Sequence, residues 1–138
     1  MKYWSLQNTA TPRILVVDDV ADNSYLMQAL LESEGYQVEI ADSGRVAIAQ
    51  INQSPPDLVL LDVMMPEMNG FEVARQIRQH HERSILPIFL VTGHDQIQLS
   101  TLETIEVNGL IRKPIDFEEV LTKVKSVLPV QRLVQWVQ

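Results

Sequence analysis

Five short runs of mainly aliphatic and β-branched residues recur along the chain, and stretches with helical periodicity separate them. The first run, Arg13–Val17, is continuous and stops abruptly at two acids, which is typical of a strand buried on both faces of a parallel sheet. The other strand-like runs are residues 37–41, 57–62, 87–92 and 109–112. Strands that alternate with helices imply βαβ units with right-handed crossovers. The sequence therefore predicts a small, doubly wound α/β fold with a five-stranded parallel sheet and helices on both faces.

Five helices are predicted around these strands. Capping side chains at residues 22–24 mark the start of the first helix, and Gly35 is its expected stop. Ser43 is positioned to cap the second. The remaining helical patterns cover residues 71–77, 95–105 and 117–128. The pattern at 95–105 has poor apolar periodicity, so we expect that helix to be short or distorted.

Composition narrows the class of protein. The 138 residues fit one domain. The chain has 18 Asp and Glu against 11 Lys and Arg, a formal net charge of −7 and an isoelectric point near 4.8, which disfavours direct binding of nucleic acid or anionic membranes. The absence of Cys excludes a disulfide scaffold and a cysteine nucleophile. No membrane span or signal peptide is recognisable, so a cytoplasmic location is expected.

Polar side chains stand at the carboxyl ends of the predicted strands. Asp18 and Asp19 end the first strand, Asp62 ends the third, Thr92 ends the fourth and Lys113 follows the fifth. In open α/β sheets ligands bind outside this edge, so these groups are expected to converge there. Carboxylates that lie close together repel one another unless a cation sits among them. Oxygen ligands without His or Cys favour a hard ion, and a site that keeps several waters suits Mg²⁺.

Four segments, taken together and in order, resemble the receiver domain of two-component response regulators of the chemotaxis-regulator type. The matching segments are ILVVDD at 14–19, DLVLLDVMMPEMNG at 57–70, LVTG at 90–93 and RKP at 112–114. The resemblance covers residues 13–128, with an N-terminal tail at 1–12 and a C-terminal extension at 129–138. It implies a flavodoxin-like fold with strand order 2-1-3-4-5.

The resemblance also implies a role for each residue of the edge. Asp62 would accept a phosphoryl group from a sensor histidine kinase or a His phosphotransfer protein. Asp18 or Asp19, together with Asp62 and the backbone carbonyl of Met64, would hold Mg²⁺.

Two further side chains would act on the phosphoryl group itself. The Thr92 hydroxyl would donate to a phosphoryl oxygen, and the Lys113 ammonium would offset the charge. The Lys113–Pro114 peptide bond is expected to be cis. Such a domain is a phosphoacceptor rather than an enzyme with a separate substrate. It would signal by contact with a downstream protein, by phosphorelay or through a phosphorylation-dependent dimer.

Leu110 and the C-terminal extension depart from the family pattern, and two further positions, Met64 and His94, are ones that vary across the family. Leu110 stands where receivers usually carry an aromatic residue that moves inward on activation, so the readout is expected to use other parts of the surface. Met64 and His94, two residues after Asp62 and Thr92, are poorly suited to hold an attacking water, which predicts slow autodephosphorylation. Residues 129–138 have the apolar spacing of a short amphipathic helix, which either folds back on the domain or meets a partner.

Other classes of protein with a similar fold or a related site would show different sequence features. A haloacid-dehalogenase-like phosphatase would carry its nucleophile after the first strand and would need a cap domain. A flavodoxin-like or dinucleotide-binding protein would carry a phosphate-binding loop where this chain has two acids. A degenerate receiver would lack some of the key side chains. The chain could also be the receiver portion of a larger response regulator or of a hybrid histidine kinase.

Overall fold

The structure, a computed structural model, describes residues 11–80, 85–93 and 105–129. These residues form five strands and four helices. In chain order they are β1 (Arg13–Val17), α1 (Ala21–Glu32), β2 (Gln37–Ala41), α2 (Gly44–Gln53), β3 (Leu58–Asp62), α3 (Gly70–Gln79), β4 (Ile88–Thr92), β5 (Gly109–Arg112) and α4 (Phe117–Val127).

The strands form one parallel sheet in the order β2-β1-β3-β4-β5. This order confirms the doubly wound topology and the flavodoxin-like arrangement expected from the resemblance. Strands β1 and β3 lie side by side near the centre because the chain crosses over β1 on its way from β2 to β3. The reversal of strand order between these two strands marks the switch point at which α/β proteins bind ligands.

Apolar side chains leave the sheet on both faces, and among the described residues two helices pack against each set. One core cluster packs α2 and α3 against residues such as Leu15, Val59 and Leu61. The other packs α1 and α4 against residues such as Val16, Leu60 and Phe89. Every residue of β3 and β4 is buried. Neighbouring residues along these strands therefore face opposite cores, which explains their continuous apolar sequence.

The helix boundaries agree with some sequence signals and not with others. The Ser43 side chain accepts a hydrogen bond from the Val46 amide, as expected of an N-cap. Gly35 has φ 98°, a left-handed conformation that glycine tolerates, at the turn after α1. The cap predicted at residues 22–24 is wrong. Helix α1 follows Val20, which makes no side-chain capping bond, and Asp18 Oδ1 accepts from the Val20 amide at 2.9 Å instead.

The fourth predicted helix, residues 95–105, lies outside the described residues apart from Ile105, which is buried in the α2–α3 core. Residues 1–10 and 130–138, which include most of both predicted tails, also lie outside them. In the part of the chain that the structure describes, no helix has the length and apolar character needed to cross a membrane.

Candidate functional site

The register of the sheet brings the predicted polar residues to one edge. Val17 pairs with Leu61, so Asp18 and Asp62 follow at the same level on the adjacent strands β1 and β3. Thr92 pairs with Arg112 at the ends of β4 and β5. The ladder continues one step further, because the Lys113 amide donates to the Thr92 carbonyl at 2.8 Å. The backbone alone therefore places these residues along the carboxyl edge.

Three carboxylates form a cluster at this edge. One oxygen from each of Asp18, Asp19 and Asp62 lies within 4.8 Å of the other two. Asp18 is 7% exposed and Asp62 is 3% exposed, whereas Asp19 faces solvent. Like charges at this separation repel, and burial strengthens the repulsion. The cluster matches the acidic set predicted from the sequence.

Asp62 is held by two donors on one of its oxygens. Its Oδ1 atom accepts from Lys113 Nζ at 3.4 Å and from the Met64 amide at 3.4 Å. Burial and the negative charge of Asp18 raise the pKa of Asp62, while the Lys113 ammonium and the two hydrogen bonds act in the opposite direction. The carboxylate of Asp62 is thus a buried anion whose charge is incompletely compensated by the protein.

Asp18 has a structural as well as an electrostatic connection to α1. One of its oxygens accepts from the Val20 amide, and its backbone carbonyl accepts from the Ser24 hydroxyl at 3.4 Å. Ser24 is fully buried and is the fourth residue of α1, so it lies inside the helix and not at the N-cap position, which Val20 occupies. The sequence pattern indicates capping side chains at residues 22–24 and does not predict this contact with Asp18.

Lys113 and Thr92 lie on the side of Asp62 toward β4 and β5. The Lys113 ammonium contacts Asp62, and because the Lys113 side chain is 30% exposed, part of it stays in contact with solvent. Thr92 is fully buried at the end of β4. The Lys113–Pro114 peptide bond is cis, as expected.

Met64 and Leu110, both discussed above in relation to the family pattern, lie in different surroundings. The Met64 side chain is 58% exposed beside the site. Leu110 is partly buried and packs against the α2–α3 core, as expected of an aliphatic strand residue. His94 lies outside the described residues.

The space beside the carboxylates is small. Asp18, Asn23, Asp62 and Ile115 line a cavity of about 20 Å³, which has room for roughly one water molecule. Asn23, predicted as a capping residue, therefore lies close to the acids. This cavity, formed by described residues, is far too small to hold a nucleotide.

Comparisons with known proteins agree with this geometry. The family described as the response regulator receiver domain matches residues 14–125. Protein PilH of Pseudomonas aeruginosa is 38% identical over 123 residues, which cover 84% of this chain and 97% of PilH. Response regulator PleD of Caulobacter vibrioides is 38% identical over 116 residues, which cover 83% of this chain but 25% of PleD. The chain thus spans nearly all of one relative and about a quarter of the other.

Solved structures show the same fold. The chemotaxis protein CheY4 of Vibrio cholerae superposes with a TM-score of 0.81 at 29% identity, covering 86% of this chain and all of that one. The signal receiver domain of a signal transduction histidine kinase from Syntrophus aciditrophicus has a TM-score of 0.80 at 25% identity, covering 89% of this chain and 96% of that one.

Proposed function

Since the chain belongs to the response regulator receiver domain family, we propose that it is a phosphoacceptor domain in which Asp62 receives a phosphoryl group in a Mg²⁺-dependent reaction. The observation that carries this proposal is the position of Asp62. It is a buried carboxylate at the end of β3, with Lys113 Nζ 3.4 Å away on one side and two further acids within 4.8 Å on the other. An anion between a cation and an acidic cluster is suited to be both a nucleophile and a metal ligand.

The proposed reaction is transfer from a phosphohistidine. A carboxylate oxygen of Asp62 attacks phosphorus, the P–O bond forms and the P–N bond to the donor imidazole breaks, with the electron pair leaving on that nitrogen. Lys113 and the Met64 amide both contact Oδ1, so they fix the orientation of the carboxylate during the attack. Asp19 and Met64 are exposed beside Asp62, and the cavity at the acids is very small, which fits a histidine on another protein better than a small substrate in a closed pocket.

The donor set fits Mg²⁺. Carboxylates of Asp18, Asp19 and Asp62 offer oxygen ligands, and the backbone carbonyl of Met64 is the proposed fourth protein ligand. The set contains no imidazole or thiolate, which disfavours the softer transition metals. The exposed position of Asp19 leaves a side open to water, as Mg²⁺ prefers. When bound, the ion would draw negative charge from the phosphoryl oxygens.

Lys113 and Thr92 complete the proposed site. After transfer, the Lys113 ammonium is positioned to pair with the new phosphoryl charge instead of the Asp62 carboxylate. We assign the Thr92 hydroxyl as a donor to a phosphoryl oxygen, which would couple phosphorylation to the chain that follows β4. Since Leu110 replaces the usual aromatic residue, we expect the downstream signal to depend on other residues of that surface. With Met64 and His94 at the neighbouring positions, we expect slow autodephosphorylation.

The proposed phosphodonor is a sensor histidine kinase or a His phosphotransfer protein, and the output is contact with a downstream protein, phosphorelay or a phosphorylation-dependent dimer. The domain boundaries at residues 13 and 128, a cytoplasmic location and the lack of direct nucleic-acid binding stay predictions. A single-domain regulator is favoured by the near-complete coverage of PilH. A receiver portion of a larger regulator is the alternative, favoured by the partial coverage of PleD.

The test is phosphorylation by a small phosphodonor. The protein is incubated with Mg²⁺ and acetyl phosphate, and its intact mass is measured against time. We expect the wild type to gain one phosphoryl group. No phosphoryl group should be added when EDTA replaces Mg²⁺ or when Asp62→Asn replaces the wild type.

Asp57→Asn is the matched control because Asp57 lies at the opposite end of β3, where its carboxylate accepts from the Arg13 amide at 2.7 Å. This variant should be phosphorylated like the wild type. If the wild type gains no phosphoryl group, or if Asp62→Asn gains one at the same rate, the proposed function is wrong, and the former result would favour a degenerate receiver.

A further inference from the structure

Gly70, the first residue of α3, is buried against the end of β3. Its backbone does not require glycine, because its φ lies outside the left-handed region. Glycine also disfavours helix formation by about 1 kcal/mol relative to alanine. The reason why glycine suits this position must therefore be steric and not conformational.

The steric constraint is the close approach of α3 to the backbone of Asp62. A Cβ atom at Gly70 would lie 2.5 Å from the Asp62 carbonyl oxygen, 2.9 Å from the Val63 Cα atom and 3.0 Å from the Asp62 carbonyl carbon. All three are main-chain atoms, so no change of side-chain rotamer relieves the overlap. The Gly70 amide also donates to the Val63 carbonyl at 3.0 Å, which holds the helix start at this distance.

We propose that Gly70 is a positioning residue for Asp62. The start of α3 packs directly against the backbone of residues 62 and 63. This contact fixes the position of the last residue of β3 relative to α3. The contact thereby fixes the Asp62 carboxylate at 3.4 Å from Lys113 Nζ and within 4.8 Å of the other acids. A methyl group at residue 70 would move either the helix or the end of the strand. Since the cluster depends on separations of this size, a shift of a fraction of an ångström at Asp62 weakens both metal binding and phosphoryl transfer.

Gly44 offers a matched comparison. It is also a buried glycine at the first position of a helix, α2, and its Cβ would also approach other atoms at under 3.0 Å. These atoms are the Val73 Cγ2 and Met68 Sδ atoms, at 2.8 Å and 2.9 Å, which belong to side chains. Gly44→Ala therefore crowds side chains, which can move, and the atoms that its Cβ would approach most closely do not include the backbone of Asp62.

This inference rests on the proposed function, and the experiment separates the two. Gly70→Ala, Gly44→Ala and the wild type are compared by circular dichroism on heating, by calorimetric titration with Mg²⁺ alone and by the rate of phosphorylation by acetyl phosphate. Titrations are made at a temperature at which all three proteins are folded. If the wild type neither binds Mg²⁺ nor gains a phosphoryl group, the proposed function fails, whatever the variants do.

With an active wild type, we expect Gly70→Ala to lose about tenfold or more in both Mg²⁺ affinity and phosphorylation rate. Gly44→Ala should stay within about threefold of the wild type in both, whatever the change in its melting temperature. Equal affinity and rate in Gly70→Ala and the wild type would overturn the assignment, and so would equal losses in the two variants. If Gly70→Ala does not fold, the measurements are repeated with a stabilising osmolyte. Failure to fold even then would assign Gly70 to the fold as a whole and would also overturn the proposal.

Discussion

Replacing Asp62 with Asn should stabilise the metal-free protein while it abolishes phosphorylation. The substitution keeps the size of the side chain and its ability to accept from the Met64 amide. It removes a buried negative charge that lies within 4.8 Å of the nearest oxygens of Asp18 and Asp19. The protein would thus gain stability at the same position where it loses its proposed function, as expected when a site holds charges in an unfavourable arrangement.

The expected gain follows from three opposing contributions. At an effective dielectric constant of about 20, unit charges at 4.8 Å repel by about 3.5 kcal/mol and unit charges at 3.4 Å attract by about 5 kcal/mol. The attraction to Lys113 therefore offsets the larger part of the combined repulsion from Asp18 and Asp19. The remaining contribution is the desolvation of the carboxylate, which costs several kcal/mol before water penetration is considered. Because Asp19 and Lys113 are in contact with solvent, we expect a net gain of about 1–2 kcal/mol.

The stability difference between the wild type and Asp62→Asn should depend on pH. The pKa of Asp62 is raised in the folded protein, so the folded state binds this proton more tightly than the unfolded state does. The wild type therefore loses stability as the pH rises through the folded-state pKa of Asp62. The side-chain amide of the Asp62→Asn variant does not titrate. The stability difference between the two proteins should be small near the ordinary carboxyl pKa of 3.8 and should grow toward neutral pH.

The assay is urea unfolding in EDTA at several pH values between acid and neutral. In a separate thermal unfolding experiment, the expected gain corresponds to a rise in melting temperature of about 3–8 °C for a domain of this size. Saturating Mg²⁺ should stabilise the wild type and not the variant, because only the wild type keeps the third carboxylate. Asp57→Asn is the control and should show no gain. A variant less stable than the wild type at neutral pH in EDTA, or a stability difference independent of pH, would show that the Asp62 charge does not destabilise the folded protein.

Three other side chains give separate predictions. Arg78→Gln should lower the free energy of unfolding by about 2–4 kcal/mol in urea titrations, since the half-buried guanidinium donates to two backbone carbonyls and to Asn108. Tyr36→Phe should cost about 1 kcal/mol because the Tyr36 hydroxyl donates to the Leu128 carbonyl. Burial, with a smaller contribution from Glu34, raises the pKa of Tyr36, so this cost should persist at neutral pH and shrink in stability measurements above about pH 10. Lys113→Met should slow phosphorylation by acetyl phosphate about a hundredfold.

These predictions have their own controls. Arg78 and Tyr36 lie away from the acidic cluster, so their variants should take up a phosphoryl group at the wild-type rate when folded. A slower rate would show that the two regions are coupled. Lys113→Met should fold normally, and a phosphorylation rate equal to that of the wild type would remove Lys113 from the proposed mechanism.

Much of the fold could be predicted from the sequence because its parallel strands are buried on both faces. Buried strands such as β3 are continuous apolar runs, and each ends where a polar residue reaches the carboxyl edge. The strand order was not contained in that pattern. It came from the resemblance to receiver domains, since periodicity identifies strands and does not say which of them are neighbours.

The candidate site was predictable as a set of residues and not as a geometry. Asp18, Asp62 and Lys113 were identified by their positions at strand ends, and the structure brings them together. The cap predicted at residues 22–24 is wrong because small polar residues near a helix start suggest a cap, while α1 begins at Ala21 and the partner of Ser24 depends on how α1 packs against β1. The role inferred for Gly70 was also out of reach, since only the packed structure shows which main-chain atoms lie beside it.

The most direct test of the central claim is to locate the phosphoryl group in the chain. The protein is phosphorylated with acetyl phosphate and Mg²⁺, reduced with borohydride to trap the acyl phosphate, digested and analysed by mass spectrometry. We expect the reduced residue to be Asp62 and no trapped product to form in EDTA. Trapping at another carboxylate, or no trapping in a folded protein with Mg²⁺ present, would contradict this claim.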